Sequence, residues 1–167
     1  MSTWEIINSG GSDVGLDNDP YRIAQTCPSV LDGEAPSSIL FRAYKTGAPS
    51  GNVVSRIYSS SNVLKATSTN SIDASSLVAG NNDLTFTFSG VTLATDDYMA
   101  IEKQSGTFPT TARIDLVIGS DTVAGTKAVR YNGSWSDVGG DMYIIVTYGG
   151  VASTGTRLPP PPLVVHF

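Results

Sequence analysis

The chain has 167 residues, of which 15% are charged and 40% hydrophobic, with a formal net charge of −5 and a pI near 4.6. That length holds one domain with a sizeable core but not two. The low charge fraction excludes a coiled coil, the apolar content excludes full disorder, and an acidic balance with no Lys/Arg cluster argues against a nucleic-acid partner. Gly, Ser and Thr together supply 55 residues, the mixture of a β-rich chain with many turns.

Residues 1–7 have neither the basic stretch nor the apolar run of an export signal, and no apolar segment approaches the roughly 18–20 residues that span a bilayer. The expectation is a protein made in the cytoplasm, with no membrane partner. Residues 1–19 read as an N-terminal strand or arm, with the strand at 3–7. Asp13, Asp17 and Asp19 fall in a loop there. They are the candidate oxygen ligands for calcium, with Asp141 as a further one, although their spacing is not that of an EF-hand. No other cofactor is expected.

A β-sandwich domain is expected over 20–149. Leu84, Phe86 and Phe88 alternate with threonines, which places them on one face of a half-buried strand. The same period links Ile39, Phe41 and Ala43, then Ile114, Leu116 and Ile118, then Met142, Ile144, Val146 and Tyr148. Weaker strands are read at 3–7, 21–26, 52–58, 63–69, 98–103 and 126–131. Turn signals at 47–51, 80–83, 132–133 and 139–141 separate them, and a short helical turn fits around 73–77. Asn132 and Gly133 tolerate the positive φ values of a two-residue type I′ hairpin turn, which also explains the Asn132-Gly-Ser134 letters without glycosylation. Strands spaced by roughly 8–12 residues with no long helical period predict an all-β fold, a two-sheet antiparallel sandwich.

After Tyr148 the chain changes character. Residues 150–167 read as an extended Gly/Pro-rich tail in which Pro159, Pro160, Pro161 and Pro162 form a stiff spacer of about 12 Å at ~3.1 Å per residue. Leu163, Val164, Val165 and Phe167 then follow as an apolar, β-prone segment suited to gripping a neighbouring subunit.

The sequence offers little for catalysis. No nucleophile elbow, phosphate loop, zinc-protease helix or dinucleotide fingerprint is present, and the single His166 lies beyond the proline spacer, a poor place for a general base. Most of the twelve Asp stand in turn contexts, as Asp83, Asp96, Asp97 and Asp137 do, and there they satisfy backbone N–H groups. The lone Cys27 makes neither an intrachain disulfide nor a cysteine zinc site. The reading is therefore of a protein that is not an enzyme. Trp135 and Tyr131 are the candidate ligand-binding aromatics, and Tyr44, Tyr58 and Tyr143 stand on strand faces opposite the most apolar positions.

From about residue 21 to 149 the order of segments IAQT at 23–26, GAPSGN at 47–52, RIY at 56–58, LKAT at 64–67, IDASSL at 72–77, TFTF at 85–88, YMAI at 98–101, NGSW at 132–135 and DMYIIVTY at 141–148 resembles a family of β-sandwich domains related to carbohydrate-binding-module jelly rolls. Such domains occur in microbial surface proteins and in viral structural proteins. The resemblance implies a jelly-roll-like sandwich and leaves its ligand open. With the missing export signal and the apolar tail, the expectation is a structural or assembly protein of a virion or other external particle, of capsid-surface, decoration or fibre type, forming a homo-oligomer or docking on other subunits. The alternative is an adhesion module that recognises cell-surface glycans through Trp135 and Tyr131.

Overall fold

Period-two alternation buries one face of a strand and wets the other, and the computed structural model, which describes residues 1–7, 13–17, 22–120 and 123–149, shows where each strand falls. In chain order they are β1 (Ser2–Ile6), β2 (Asp13–Leu16), β3 (Arg22–Thr26), β4 (Pro36–Thr46), β5 (Asn52–Tyr58), β6 (Leu64–Thr67), β7 (Ile72–Asp73), β8 (Gly80–Thr87), β9 (Tyr98–Lys103), β10 (Arg113–Gly119), β11 (Ala128–Tyr131), β12 (Trp135–Asp137), β13 (Asp141–Met142) and β14 (Ile144–Tyr148). Two single 3-10 turns, at Ser29–Leu31 and Ala74–Ser76, are the helical pieces among the described residues, and no helix there is long and apolar enough to cross a membrane.

Two antiparallel sheets form a β-sandwich, the architecture expected from the sequence. In the first, the eleven-residue β4 pairs along one edge with β8 and along the other with β14 and then β10. β1 adds to β14, while β2 and β13 add to β10. The second sheet runs β12-β11-β3-β9-β5-β6, with β7 also on β5. Leaving aside the short β6, β7, β12 and β13, successive strands from β3 onward alternate between the two sheets. The core between the layers joins Ile39, Phe41, Leu84, Phe86, Ile114 and Ile144 from the first sheet to Ile23, Ile57, Met99 and Ile101 from the second. Phe41 and Phe86 meet edge to face at 6.1 Å and 63°, a geometry that suits the ring quadrupoles.

Three local expectations are corrected. Asp13 opens a strand rather than sitting in a loop, because Val14 and Leu16 supply a short alternation that pairs with Leu116 and Ile114 of β10 and buries Leu16. Residues 80–83 are not a turn but the first half of β8. There Asn82 folds its amide back on Val78 and Gly80, and Asp83 makes a two-pronged ion pair with Arg42 at 2.7 and 3.0 Å across the sheet. The β11–β12 hairpin forms where expected, but Tyr131 pairs with Trp135, so three residues make the loop and of these only Gly133 has positive φ, at 83°. A three-residue loop needs one left-handed position, and glycine fills it. The helical turn expected around 73–77 is present, with the Asp73 carboxylate accepting from Ser75 N at 2.8 Å.

The outer edge of β8 is closed by a side chain. Asn70 donates its amide to Thr85 O at 3.0 Å and accepts from Thr87 N at 2.8 Å, so one asparagine occupies the groups that a further strand would use.

Cys27, fully buried after β3, points its thiol at Pro28 O, 3.6 Å away. Burial first, and then the negative charges of Asp97 and Asp32, push its thiol from 9.0 up to about 12. The unfolded chain therefore loses this proton first. The stability that the protonated thiol contributes is complete below about pH 9 and is lost as the pH rises toward 12. Urea melts through that alkaline range should show the parent chain losing stability more steeply than Cys27→Ala. Parallel curves would contradict this account. Thiol reagents should label the parent chain only after unfolding.

Candidate functional site

The outer face of the second sheet carries a second, smaller core, built on a hollow of two alanines. Ala24 on β3 and Ala100 on β9 are register partners, and both are fully buried although Ile23 and Ile101 beside them already fill the core between the sheets. Neighbouring strands flank them with Val129 and Arg56. On one side of this row stand Tyr58 and Tyr98, partners on β5 and β9. On the other side Glu102, Arg22, Tyr131 and Trp135 follow one another across β9, β3, β11 and β12.

The small row lets long side chains from both flanks lie down over it. Trp135 stacks on Tyr98 with ring centres 4.3 Å apart and planes at 19°, with Tyr131 edge-on at 5.1 Å and Tyr58 edge-on at 6.3 Å. The Arg22 guanidinium lies 4.5 Å from the Tyr58 ring and 4.7 Å from the Tyr131 ring, a cation held between two aromatic faces. Asn62, at φ 62° in the β5–β6 turn, accepts from Trp135 Nε1 at 3.2 Å and ties that turn to the layer. Val63 and Leu64 next to it are exposed, and Leu64 is the register partner of Tyr58.

Glu102 organises the charges. Its Oε1 accepts from Arg56 Nη1 at 2.7 Å, while Oε2 accepts from the Tyr58 hydroxyl at 2.7 Å and lies 3.1 Å from Arg22 Nε. Burial, and then the bond to Glu102, raise the Tyr58 hydroxyl above the ordinary tyrosine value. Burial works against the charge on Arg56, yet Tyr58 and Glu102 outweigh it and hold that guanidinium above its ordinary value. Tyr58 is thus held as the neutral phenol and Arg56 as the guanidinium, in a layer of rings and guanidinium donors suited to holding a ligand.

The structure brings Tyr131 and Trp135 together, as side-chain neighbours in one layer. Tyr58 joins them, while Tyr44 is on β4 of the first sheet and Tyr143 lies between β13 and β14, where Arg42 stands 4.0 Å over its ring. Asp141 is buried and held by Gln25 Nε2 at 2.7 Å, Thr126 Oγ1 at 2.8 Å and Val123 N at 3.1 Å, so its oxygens serve the fold. Among the aspartates in turn contexts, Asp137 accepts from Gly139 N and Asp97 from Ala94 N, while Asp83 is paired with Arg42. Of the calcium candidates, Asp13 is described by its backbone alone, Asp17 follows β2, and Asp19 lies outside the described residues. Among the described residues no group of three or more His, Cys, Asp or Glu is arranged to hold a metal. Leu163, Val164, Val165, His166 and Phe167, with the proline spacer, also lie outside the described residues.

Arg22, Arg56, Tyr98 and Glu102 were missed as site residues. They lie on three strands far apart in sequence, and only the pairing register gathers them. The one local hint was alanine at the outward positions 24 and 100, with large polar or aromatic residues two positions away in each strand. Searches find no protein-family model that matches the chain and no curated protein similar to it.

Proposed function

We propose that the protein is a non-enzymatic structural or assembly subunit of a virion or other external particle, of capsid-surface, decoration or fibre type. It docks on copies of itself or on other subunits through its sheet faces and its C-terminal segment. The observation that carries this reading is the composition of the second sheet's outer face. Trp, Tyr and Arg are the residue types that dominate protein–protein contacts, and exposed Leu64, the register partner of Tyr58, extends the same face onto β6. The sequence resemblance to jelly-roll domains of viral structural proteins supports the reading, and the apolar segment 163–167 gives it a second contact. Such a subunit is made in the cytoplasm and displayed outside once the particle is released.

The test is solution mass by light scattering for the full chain, a version ending at Arg157, and Leu64→Lys. A defined oligomer of the full chain that one or both variants break supports the reading. A full chain that stays monomeric at every concentration overturns self-assembly.

A second reading, a module that binds cell-surface glycans, draws on a different observation. Tyr131 and Trp135 are only partly buried neighbours on a sheet face, and Tyr131 lies against the Arg22 guanidinium. A glycan array probed with the parent chain and with Trp135→Ala tests it, binding lost in the variant being the expected result.

A further inference from the structure

We infer that Arg22 makes the outer face of the second sheet selective for acidic saccharides, sugars that carry a carboxylate. The inference rests on the glycan-binding reading and goes beyond it by assigning the chemical class.

Arg22 Nε is buried and lies 3.1 Å from Glu102 Oε2, and the guanidinium plane is covered by Tyr58 and Tyr131. Among the described residues no acceptor takes the hydrogens of either Nη, and these two groups, unlike Nε, remain open to solvent on a side chain that is 19% exposed. A guanidinium edge therefore faces outward with parallel N–H donors, the shape that matches a carboxylate. The rings fix its orientation in advance, so little freedom is lost when an anion binds.

Charge points the same way. Arg22 and Arg56 share a single carboxylate, that of Glu102, whose side chain is only 12% exposed. Asp137 on β12 is already engaged by Gly139 N at 2.7 Å and lies 3.9 Å from Lys127 Nζ. Here two guanidinium groups share one carboxylate, on a chain whose formal charge is −5. An anion that reaches this protein meets repulsion from the molecule as a whole and attraction here. Tyr131 stands next to the donors with Trp135 beyond it, where a sugar ring attached to that carboxylate would rest.

The experiment titrates the full chain, by calorimetry, with a glucuronate-containing tetrasaccharide and with its carboxyl-reduced neutral counterpart. The acidic form should bind about tenfold more tightly, the effect of one charge-assisted bidentate contact, and its affinity should fall as salt is added. Arg22→Gln should bring the two affinities together, and Arg22→Lys should restore part of the gap. Because Arg22→Gln disturbs the pairing of Glu102, side-chain NMR of the parent chain labelled at arginine gives an independent readout, in which the Arg22 Nη signals should move with the acidic form alone. Equal affinity for both saccharides would overturn the acidic preference and leave glycan binding standing, whereas binding of neither would overturn both.

Discussion

Changing Glu102 to Gln should lower the stability of the folded protein by about 2–4 kcal/mol, a little less than the roughly 3–5 kcal/mol lost when one partner of a fully buried ion pair is removed, because the Arg22 and Arg56 side chains keep 19% and 26% of their surface exposed. The carboxylate neutralises two guanidinium groups and accepts the Tyr58 hydroxyl at 2.7 Å. An amide keeps the shape but not the charge, so Arg22 and Arg56 would repel each other across an apolar hollow. The loss should be visible twice, as a lower urea midpoint and as a weaker near-ultraviolet circular dichroism signal from Tyr58, Tyr98 and Trp135. A change under about 0.5 kcal/mol would mean that water replaces the carboxylate and that the cluster behaves as ordinary exposed charge.

Asp141→Ala should cost a similar amount, about 3–5 kcal/mol, by a different route. The aspartate is fully buried and accepts from Gln25 Nε2, Thr126 Oγ1 and Val123 N, and each buried donor left unpaired costs about 1–3 kcal/mol, with partial relief as they rearrange. Gln25 is itself committed through Oε1 to Met142 N at 2.8 Å, so β3 and β13 are joined at both ends of one amide. Thr126→Val removes one hydroxyl proton, which Asp141 Oδ1 and Val123 O share at 2.8 and 2.9 Å, and should cost about 1 kcal/mol. If thermal melts placed the two variants side by side, Asp141 would not be the centre of that network.

The sequence made the first sheet easier to read than the second. Strands β4 and β8 bury one face each, so Phe41 and Phe86 keep step with the period of two. Strands β3 and β9 are covered on both faces, and their alternation disappears into runs such as Ile23, Ala24 and Gln25, all buried. Strand β2 offers only Val14 and Leu16 among glycine and aspartate, and its identity comes from β10 rather than from its own residues. The candidate site was half legible. Trp135 and Tyr131 are conspicuous beside a hairpin turn, whereas Arg22 and Glu102 look like ordinary charged residues at strand ends. Their pairing depends on register between β3 and β9, a long-range fact that no window of sequence contains. The polar Gln25 in a core-facing position was the trace of Asp141, 116 residues away.

The hollow over Ala24 and Ala100 also bears on how the molecule opens. A strand shielded on both faces has no wet side from which solvent can attack its ladder, so the backbone amides of Ala24 and Ala100 belong to the slowest-exchanging set, released only by global unfolding. The roof above them is held differently. Trp135 hangs on the short hairpin of β11 and β12 and on one bond from Asn62, and that hairpin can peel away while β3 and β9 stay paired. Breathing of this outer layer is thereby separated from loss of the fold, and a partner that seats on the roof would slow exchange in β11 and β12 while leaving the protection of β9 unchanged.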